Sequence, residues 1–391
     1  MSEPPSPSAL SAADARRSWV GLAGFYTASF SVLGVYMQFL PAWLHDVQGF
    51  GKRDIAVILS AQTISRTLAG PLWAQWLDRC GDARRVLSLL SAGALGAFAL
   101  FALAPSLVLA WCVAFGFGCL YPPMHPILDA TSVREGARHG YSFGRLRVVG
   151  SASFLVVILV VGWWLERAGT RQVFAILVGC LLSTAIAARF VPRGEAPVTE
   201  PGERRAPWWR LLRSGPFVGV LLCSALIQGS HATYYQLSTV HWSEHGIDKS
   251  MAAVLWAEGV LAEIVLLFFA KSTFERLRPT TLLMVGGLGA AVRWLFVGAT
   301  TSFGLLLAIN WLHALSFAAT YLGAIRAVER RVPAAQRATA QGMLGAATSG
   351  GGMVFCGLCG GFAYESYAGG AFYLMAAFAT LGVLLAAGLR K

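Results

Sequence analysis

Charge is scarce in this sequence. Asp, Glu, Lys and Arg make up 13% of its 391 residues, against roughly 25% in soluble domains. Acid is scarcer than base, 19 residues against 31, for a net charge of +12. The basic residues fall in short groups between apolar runs instead of forming one stripe with interleaved exposed aromatics, so no nucleic-acid partner is expected. No Walker A pattern is present, which argues against direct ATP drive. The seven cysteines are odd in number, and all but Cys80 lie in apolar runs, which argues against a disulfide framework. Cys356 and Cys359 form C-x-x-C, but in "GGGMVFCGLCGG", not in the βαβ setting of a redox pair.

Two enzyme patterns lack their structural context. "GYSFG", Gly140 to Gly144, matches G-x-S-x-G, but it sits where an apolar helix begins, not on a strand-to-helix elbow. "HWSEH", His241 to His245, matches an inverted zinc-peptidase motif, but Gly246 follows at once at an expected helix end. No enzyme activity, metal or cofactor is expected.

What the chain has is apolar length: 56% of its residues are hydrophobic. A helix needs about 20 apolar residues to cross the ~30 Å hydrocarbon core, and twelve runs qualify: 19–43, 54–76, 86–104, 107–130, 141–165, 171–191, 215–241, 250–270, 280–300, 303–327, 337–362 and 369–389. Helices must carry them, because a helix satisfies its own backbone in lipid and the alternation of a barrel strand is absent. The first run is too long for a cleaved leader, so 1–18 reads as a disordered cytoplasmic tail before an uncleaved span. Twelve spans place both termini on one side, and the other side holds only Lys52, Arg53, Arg167, Arg171 and Lys249. The positive-inside rule puts the termini in the cytoplasm. A Pro-rich, charged linker, 192–214, divides the chain into six-helix bundles at 19–191 and 215–391. "YPPMHPILDA" from Tyr121 with Glu166 downstream, and "YLGAIRAVER" from Tyr321 with Glu365 downstream, suggest a duplicated unit. The fold class is all-α integral membrane, surrounded by lipid. Parallel repeats of this kind place a binding site near the midplane between halves.

Several charges fall inside these runs. Arg293 is the one charge of "LLMVGGLGAAVRWLFVGA", eight residues or ~12 Å from the outer end of its helix, with Glu258 at similar depth on the neighbouring run. A buried charge at that depth faces a bundle interior or water and finds a partner, so the choice is between a structural ion pair and a proton-linked network. Glu258 and Glu263 are five residues apart, about 140° around a helix, and cannot both face one partner. Arg66 lies near the midplane of the second run with no acid at its depth. An anionic cargo would complete its forked donor, although a cross-domain pair or snorkelling would also account for it. Arg145 and Arg147 open the fifth run, where inner-surface positive charge is expected, and Asp129 could be a helix-end residue. Pro122, Pro123 and Pro126 should kink the fourth helix. Aromatic side chains near the expected cavity are Tyr121, Tyr234, Tyr235, Trp256 and Tyr321. His231 reads as hydrogen-bonded structure.

The loop "WLDRCGDARRVL" resembles the major facilitator motif G-x-x-x-D-R-x-G-R-R. The resemblance implies that Asp78, Arg79, Gly81, Arg84 and Arg85 form a conformational latch on the cytoplasmic side. "LIQGSHATYYQ", "LWAEGVLAEIVLLFFAK", "GAAVRWLFVGATTS", "WLHALSFAATYLGAIRAV", "SRTLAGPL" and "YSFGRLRVVGSASF" resemble the bacterial 3-phenylpropionate transporters, relatives of lactose permease, over nearly the whole chain. The likeness to lactose permease implies that Arg145 and Asp129 pair at the substrate site, Glu263 bridges substrate and proton sites, Arg293 serves the proton site and His313 binds substrate. Ser316 stands where lactose permease has its proton-carrying glutamate. A carboxyl group can drop its charge by taking a proton whereas arginine keeps its own, so Glu263 with His313 is the expected proton carrier, assisted by Arg293 and Glu258. Substrate contacts are expected from Arg66, Asp129, Arg145, Tyr234, Tyr235, His313 and Tyr321. The sequence therefore leads to the expectation of a monomeric, multi-pass transporter of the bacterial cytoplasmic (inner) membrane, importing a small organic anion with protons. A sugar or nucleoside symporter and an exporter of amphipathic compounds are the alternatives.

Overall fold

The computed structural model describes residues 12–104, 106–141, 143–193, 208–269, 276–333 and 336–389. Every regular element among them is helical. The helices before the linker are α1 (Ala12–Asp46), α2 (Lys52–Cys80), α3 (Ala83–Ala99), α4 (Leu107–Leu120), α5 (Met124–His139), α6 (Phe143–Ala168) and α7 (Gln172–Ala188). After it come α8 (Gly215–Gly229), α9 (Ala232–Glu244), α10 (Lys249–Phe269), α11 (Pro279–Ala299), α12 (Phe303–Asn310), α13 (Thr320–Arg331), α14 (Arg337–Gly345), α15 (Met353–Tyr367) and α16 (Ala371–Gly388).

Among the described residues eight stretches are long and apolar enough to cross a membrane. The runs 337–362 and 369–389 fall together in one of them, Ala340–Gly388, and Gln172–Ala188 is apolar but shorter. The runs 54–76 and 250–270 form α2 and α10 but are not among the eight; these are the helices that carry Arg66, Glu258 and Glu263. The first helix starts at Ala12, so residues 12–18 of the expected tail are helical. Residues 1–11 and most of the linker lie outside the described residues, and a short 3-10 turn, Trp208–Arg213, leads into α8.

Local chemistry accounts for the breaks. Gly81 ends α2 in the left-handed region at φ 67°, a conformation glycine adopts without strain. Asp82 then caps α3, its carboxylate accepting from the Arg85 amide at 3.0 Å. Arg84 donates through Nε to the Val191 carbonyl at 2.6 Å and fastens this turn to the end of α7. The side chains of Asp78 and Arg79 lie outside the described residues. Pro122 and Pro123 separate α4 from α5 instead of only bending one helix. Two π-helical stretches, Ala314–Ala319 and Ala346–Gly352, interrupt the second half; such bulges often mark functional positions.

Before the linker, α1 packs on α6 and α7, and α2 on α4. After it, α11 and α8 pack on α16. The two sets meet where α1 touches α9, α2 touches α15 and α6 touches α10. Lys52 and His45 from the first set reach Glu244, with His45 Nε2 at 3.8 Å. The Lys249 amide donates to Glu166 at 2.9 Å. Arg53 covers Phe362 at 4.3 Å. These residues belong to the helix ends that the charge pattern places outside, so the halves are drawn together at that end. A Cβ on Gly361 would lie 2.3 Å from the Ala56 methyl, which sets the α2–α15 spacing. Gly361→Val is therefore expected to overpack this seam by ~1–3 kcal/mol and to lower the apparent Tm of the purified protein; an unchanged Tm would contradict a tight seam.

Candidate functional site

A cavity between the halves has two lobes that share Leu33, Met37 and Tyr235. The first, about 400 Å³, is lined by aromatic residues including Phe30, Phe154, Tyr234, Trp256 and Phe317, and by the polar Arg147, Ser151, Glu263, Arg293 and His313. The second, about 370 Å³, is lined by Tyr36, Gln62, Arg66, Tyr121, His125 and Gln236 among others.

Arg293 is wholly buried, yet no described carboxylate forms an ion pair with it. Neutral groups surround it instead. Its Nε and Nη2 donate to Asn310 Oδ1 at 3.2 and 3.0 Å, and its Nη1 donates to His313 Nδ1 at 3.1 Å. The guanidinium carbon lies 4.3 Å from the Tyr234 ring centroid and 4.7 Å from that of Trp294, the arrangement of a cation–π contact. Asn310 is itself held, its amide donating to the Leu255 carbonyl at 3.2 Å. Three of the five guanidinium N–H groups are thus engaged by fixed neighbours. Accepting from Arg293 at Nδ1 leaves a neutral His313 with its proton on Nε2. Glu258, on α10, is buried but not part of the cavity lining, and its Oε2 has no hydrogen-bond partner among the described residues.

Arg66 presents a different picture. Its Nη2 donates to the backbone carbonyl of Ser349 in the second π stretch. That carbonyl is its one hydrogen-bond partner among the described residues, and none of them pairs an acid with it. The lobe around it has no carboxylate in its described lining. It does have unsatisfied polar atoms: Tyr36 Oη, His125 Nε2 and Gln236 Oε1 are buried and lack partners among the described residues. Buried polar groups without partners carry a substantial free-energy cost, which a polar ligand group would relieve.

The structure brings together Tyr234, Tyr235, Glu263, Arg293 and His313 in one lobe and Arg66 with Tyr235 in the other. It does not place the remaining expected residues there. Arg145 and Arg147 are both exposed, but Arg145 is off the described lining while Arg147 lines the first lobe; two positions turn a helix by about 200°, so only one of them can face the cavity. Tyr321 is 58% exposed because the π stretch before it changes the helical register on which an even periodicity relies. Asp129 lies off the lining and accepts from Tyr26 Oη at 2.5 Å. Glu263 has neither a hydrogen bond nor an ion pair to a described residue.

His231 turns out to adjoin this network. Its Nδ1 faces the carbonyls of Ile227 and Gln228 at 3.2 Å each and so carries the proton, which leaves Nε2 to accept from Ser316 Oγ at 3.0 Å. The ring lies 5.8 Å from that of His313. Spacing alone points to it, since His231, Tyr234 and Tyr235 share one helix face. Trp256, whose Nε1 is buried and unpartnered among the described residues, also lines the first lobe. In "HWSEH", His241 Nδ1 is hydrogen-bonded with Tyr364 Oη at 2.5 Å and His245 Nδ1 lies 2.7 Å from the His241 carbonyl.

The sequence profile of the MFS_1 like family matches residues 19–375. The chain belongs to the MFS_1 like family. Similar relatives are transporters. A "Probable 3-phenylpropionic acid transporter" of Escherichia coli (strain K12) is 29% identical over 92% of this chain and 94% of its own length. The "Maltose permease" of Geobacillus stearothermophilus is 27% identical over 92% of each chain. The crystal structure of the nucleoside transporter NupG superposes with a TM-score of 0.84 at 16% identity, covering 95% of this chain and 99% of that one, a likeness of fold. This MFS_1 like chain thus has the helical architecture of major facilitator transporters.

If neutral partners hold the buried guanidinium of this family member in place, Asn310→Leu will leave two of its N–H groups unpaired. The expected cost is ~1–3 kcal/mol, read as a lower denaturation midpoint; an unchanged midpoint would contradict the arrangement around Arg293.

Proposed function

We propose that this protein is a secondary transporter that imports a small aromatic carboxylate, of the 3-phenylpropionate kind, by proton symport. Its twelve spans form two six-helix halves in a bacterial cytoplasmic membrane, with both termini cytoplasmic, and the monomer is the working unit. The observation that carries this reading is Arg66, a permanent cation facing a cavity lobe with no carboxylate in its described lining, beside a second lobe walled by aromatic rings. A carboxylate matches the guanidinium fork, and an aryl group suits the faces of Tyr235 and Trp256. Arg293, already held by Asn310 and His313, is the less available anion site.

Glu263 carries the proton in this reading. It lines the aromatic lobe without a hydrogen bond or ion pair to a described residue, whereas Arg293 keeps its charge throughout. His313, Arg293 and the nearby Glu258 set the field around it. Charge accounting favours the coupling: moving one negative charge inward against 100 mV costs ~2.3 kcal/mol, and a co-transported proton cancels it. The second reading, a nucleoside or sugar symporter, is favoured by the uncharged hydrogen-bonding groups Gln62, Tyr36 and Gln236 around Arg66, and by the maltose and nucleoside transporters among the similar proteins. A thermal-shift comparison separates the two, because a true ligand raises apparent stability by mass action.

Acidifying the outside of energised vesicles is expected to raise uptake of labelled 3-phenylpropionate, and Glu263→Gln to abolish that stimulation. Stimulation that survives Glu263→Gln would contradict the proton assignment. Arg66→Gln is expected to weaken 3-phenylpropionate binding by roughly tenfold or more, the scale of one lost charge-assisted contact; unaltered affinity would remove Arg66 from the site.

A further inference from the structure

A second cation without an ion pair to a described carboxylate stands in the aromatic lobe. Arg147, on α6, lines that lobe and lies with its guanidinium carbon 4.6 Å from the Phe30 ring centroid. It has no hydrogen bond or ion pair to a described residue. Asp129, one acid of the same half, is taken up by Tyr26, and Glu258 lies behind the lining of α10. Glu263 is the one carboxylate in the described lining of the lobe. Arg66 and Arg147, the two cavity arginines with no ion pair to a described carboxylate and with donors to spare, therefore occupy different lobes, with the apolar Leu33 and Met37 and the ring of Tyr235 at the junction.

Resting on the carboxylate assignment above, we propose that the preferred cargo is a dianion: an acid with an anionic group at each end of an apolar, ring-sized middle, one held by Arg66 and the other by Arg147. Lobes of about 400 and 370 Å³ together fall within the range of pockets that enclose ligands larger than one ring and a short tail. The charge balance points the same way. With Glu263 ionised, the described lining has Arg66, Arg147 and Arg293 against a single carboxylate. Once a proton neutralises Glu263, the lobe loses that carboxylate and Arg147 keeps its charge. Arg147 then faces the lobe with no ionised carboxylate left in its described lining, and a second anionic group on the cargo would pair with it. Proton and second anionic group are thus loaded together. Electroneutral entry of a dianion takes two protons, and α10 carries two carboxyl groups, Glu258 and Glu263.

The test compares 3-phenylpropionate with its para-carboxylated analogue by calorimetric titration of the purified full-length protein. The dicarboxylate is expected to bind at least ~10-fold more tightly to the wild type, the scale of one added charge-assisted contact. Arg147→Gln is expected to bring the two affinities together, and Arg147→Lys to retain part of the preference. Size-exclusion profiles matching the wild type establish that each variant is folded. Equal affinities in the wild type, or a preference that survives Arg147→Gln, would overturn the dianion proposal and leave the carboxylate reading standing. A wild-type chain that binds neither acid would overturn both.

Discussion

A guanidinium cannot discard its charge, and that constraint organises the centre of this molecule. Arg293 is wholly buried on α11, where an uncompensated cation would be costly. The chain compensates it with dipoles and rings: the Asn310 amide, the His313 imidazole and the faces of Tyr234 and Trp294. These groups come from α9, α11 and the segment running from the end of α12 to the first π stretch, so satisfying one arginine fixes three segments against one another. The second-half wall of the cavity inherits its shape from that arrangement.

Against this fixed cation stand two that are not fixed. Arg66 and Arg147 come from the first half and reach the cavity with few committed donors. The division of labour follows: one half supplies a rigid, internally satisfied polar centre and the carboxyl groups of α10, and the other supplies cations with capacity for an anion. In the proposed reading the anionic end of the cargo is held from the first half, while its ring and the proton are held from the second, so filling the cavity would act on the contacts between the halves. At the end that carries Asp46 and Glu244 the same interface is closed by Lys52, His45 and Glu244 and by close packing at Gly361.

Much of the fold was legible because burial in lipid constrains sequence strongly. Apolar runs had to be helices, and a break near Pro122 and Pro123 was legible as a kink, although the prolines separate α4 from α5. Cavity-lining residues were legible where depth sufficed. Arg66, Arg293, His313 and Glu263 lie well inside their runs, and each lines the cavity. Direction around the helix was harder to read. Arg145 was favoured over Arg147 because a resemblance aligned it, but helix rotation turns Arg147 inward. Tyr321 follows a π stretch that periodicity cannot anticipate. The contact between His231 and Ser316 joins residues far apart in sequence, and only the packed structure brings them together.

The central claim is that Arg66, and not the already engaged Arg293, holds the anionic end of a cargo whose ring occupies the aromatic lobe. A structure determined with para-bromophenylpropionate, its bromine located by anomalous scattering, tests this most directly. The account predicts the carboxylate about 3 Å from Arg66 nitrogen atoms and the bromine among Phe30, Tyr235 and Trp256. A carboxylate seated on Arg293, or a bromine outside this cavity, would contradict it.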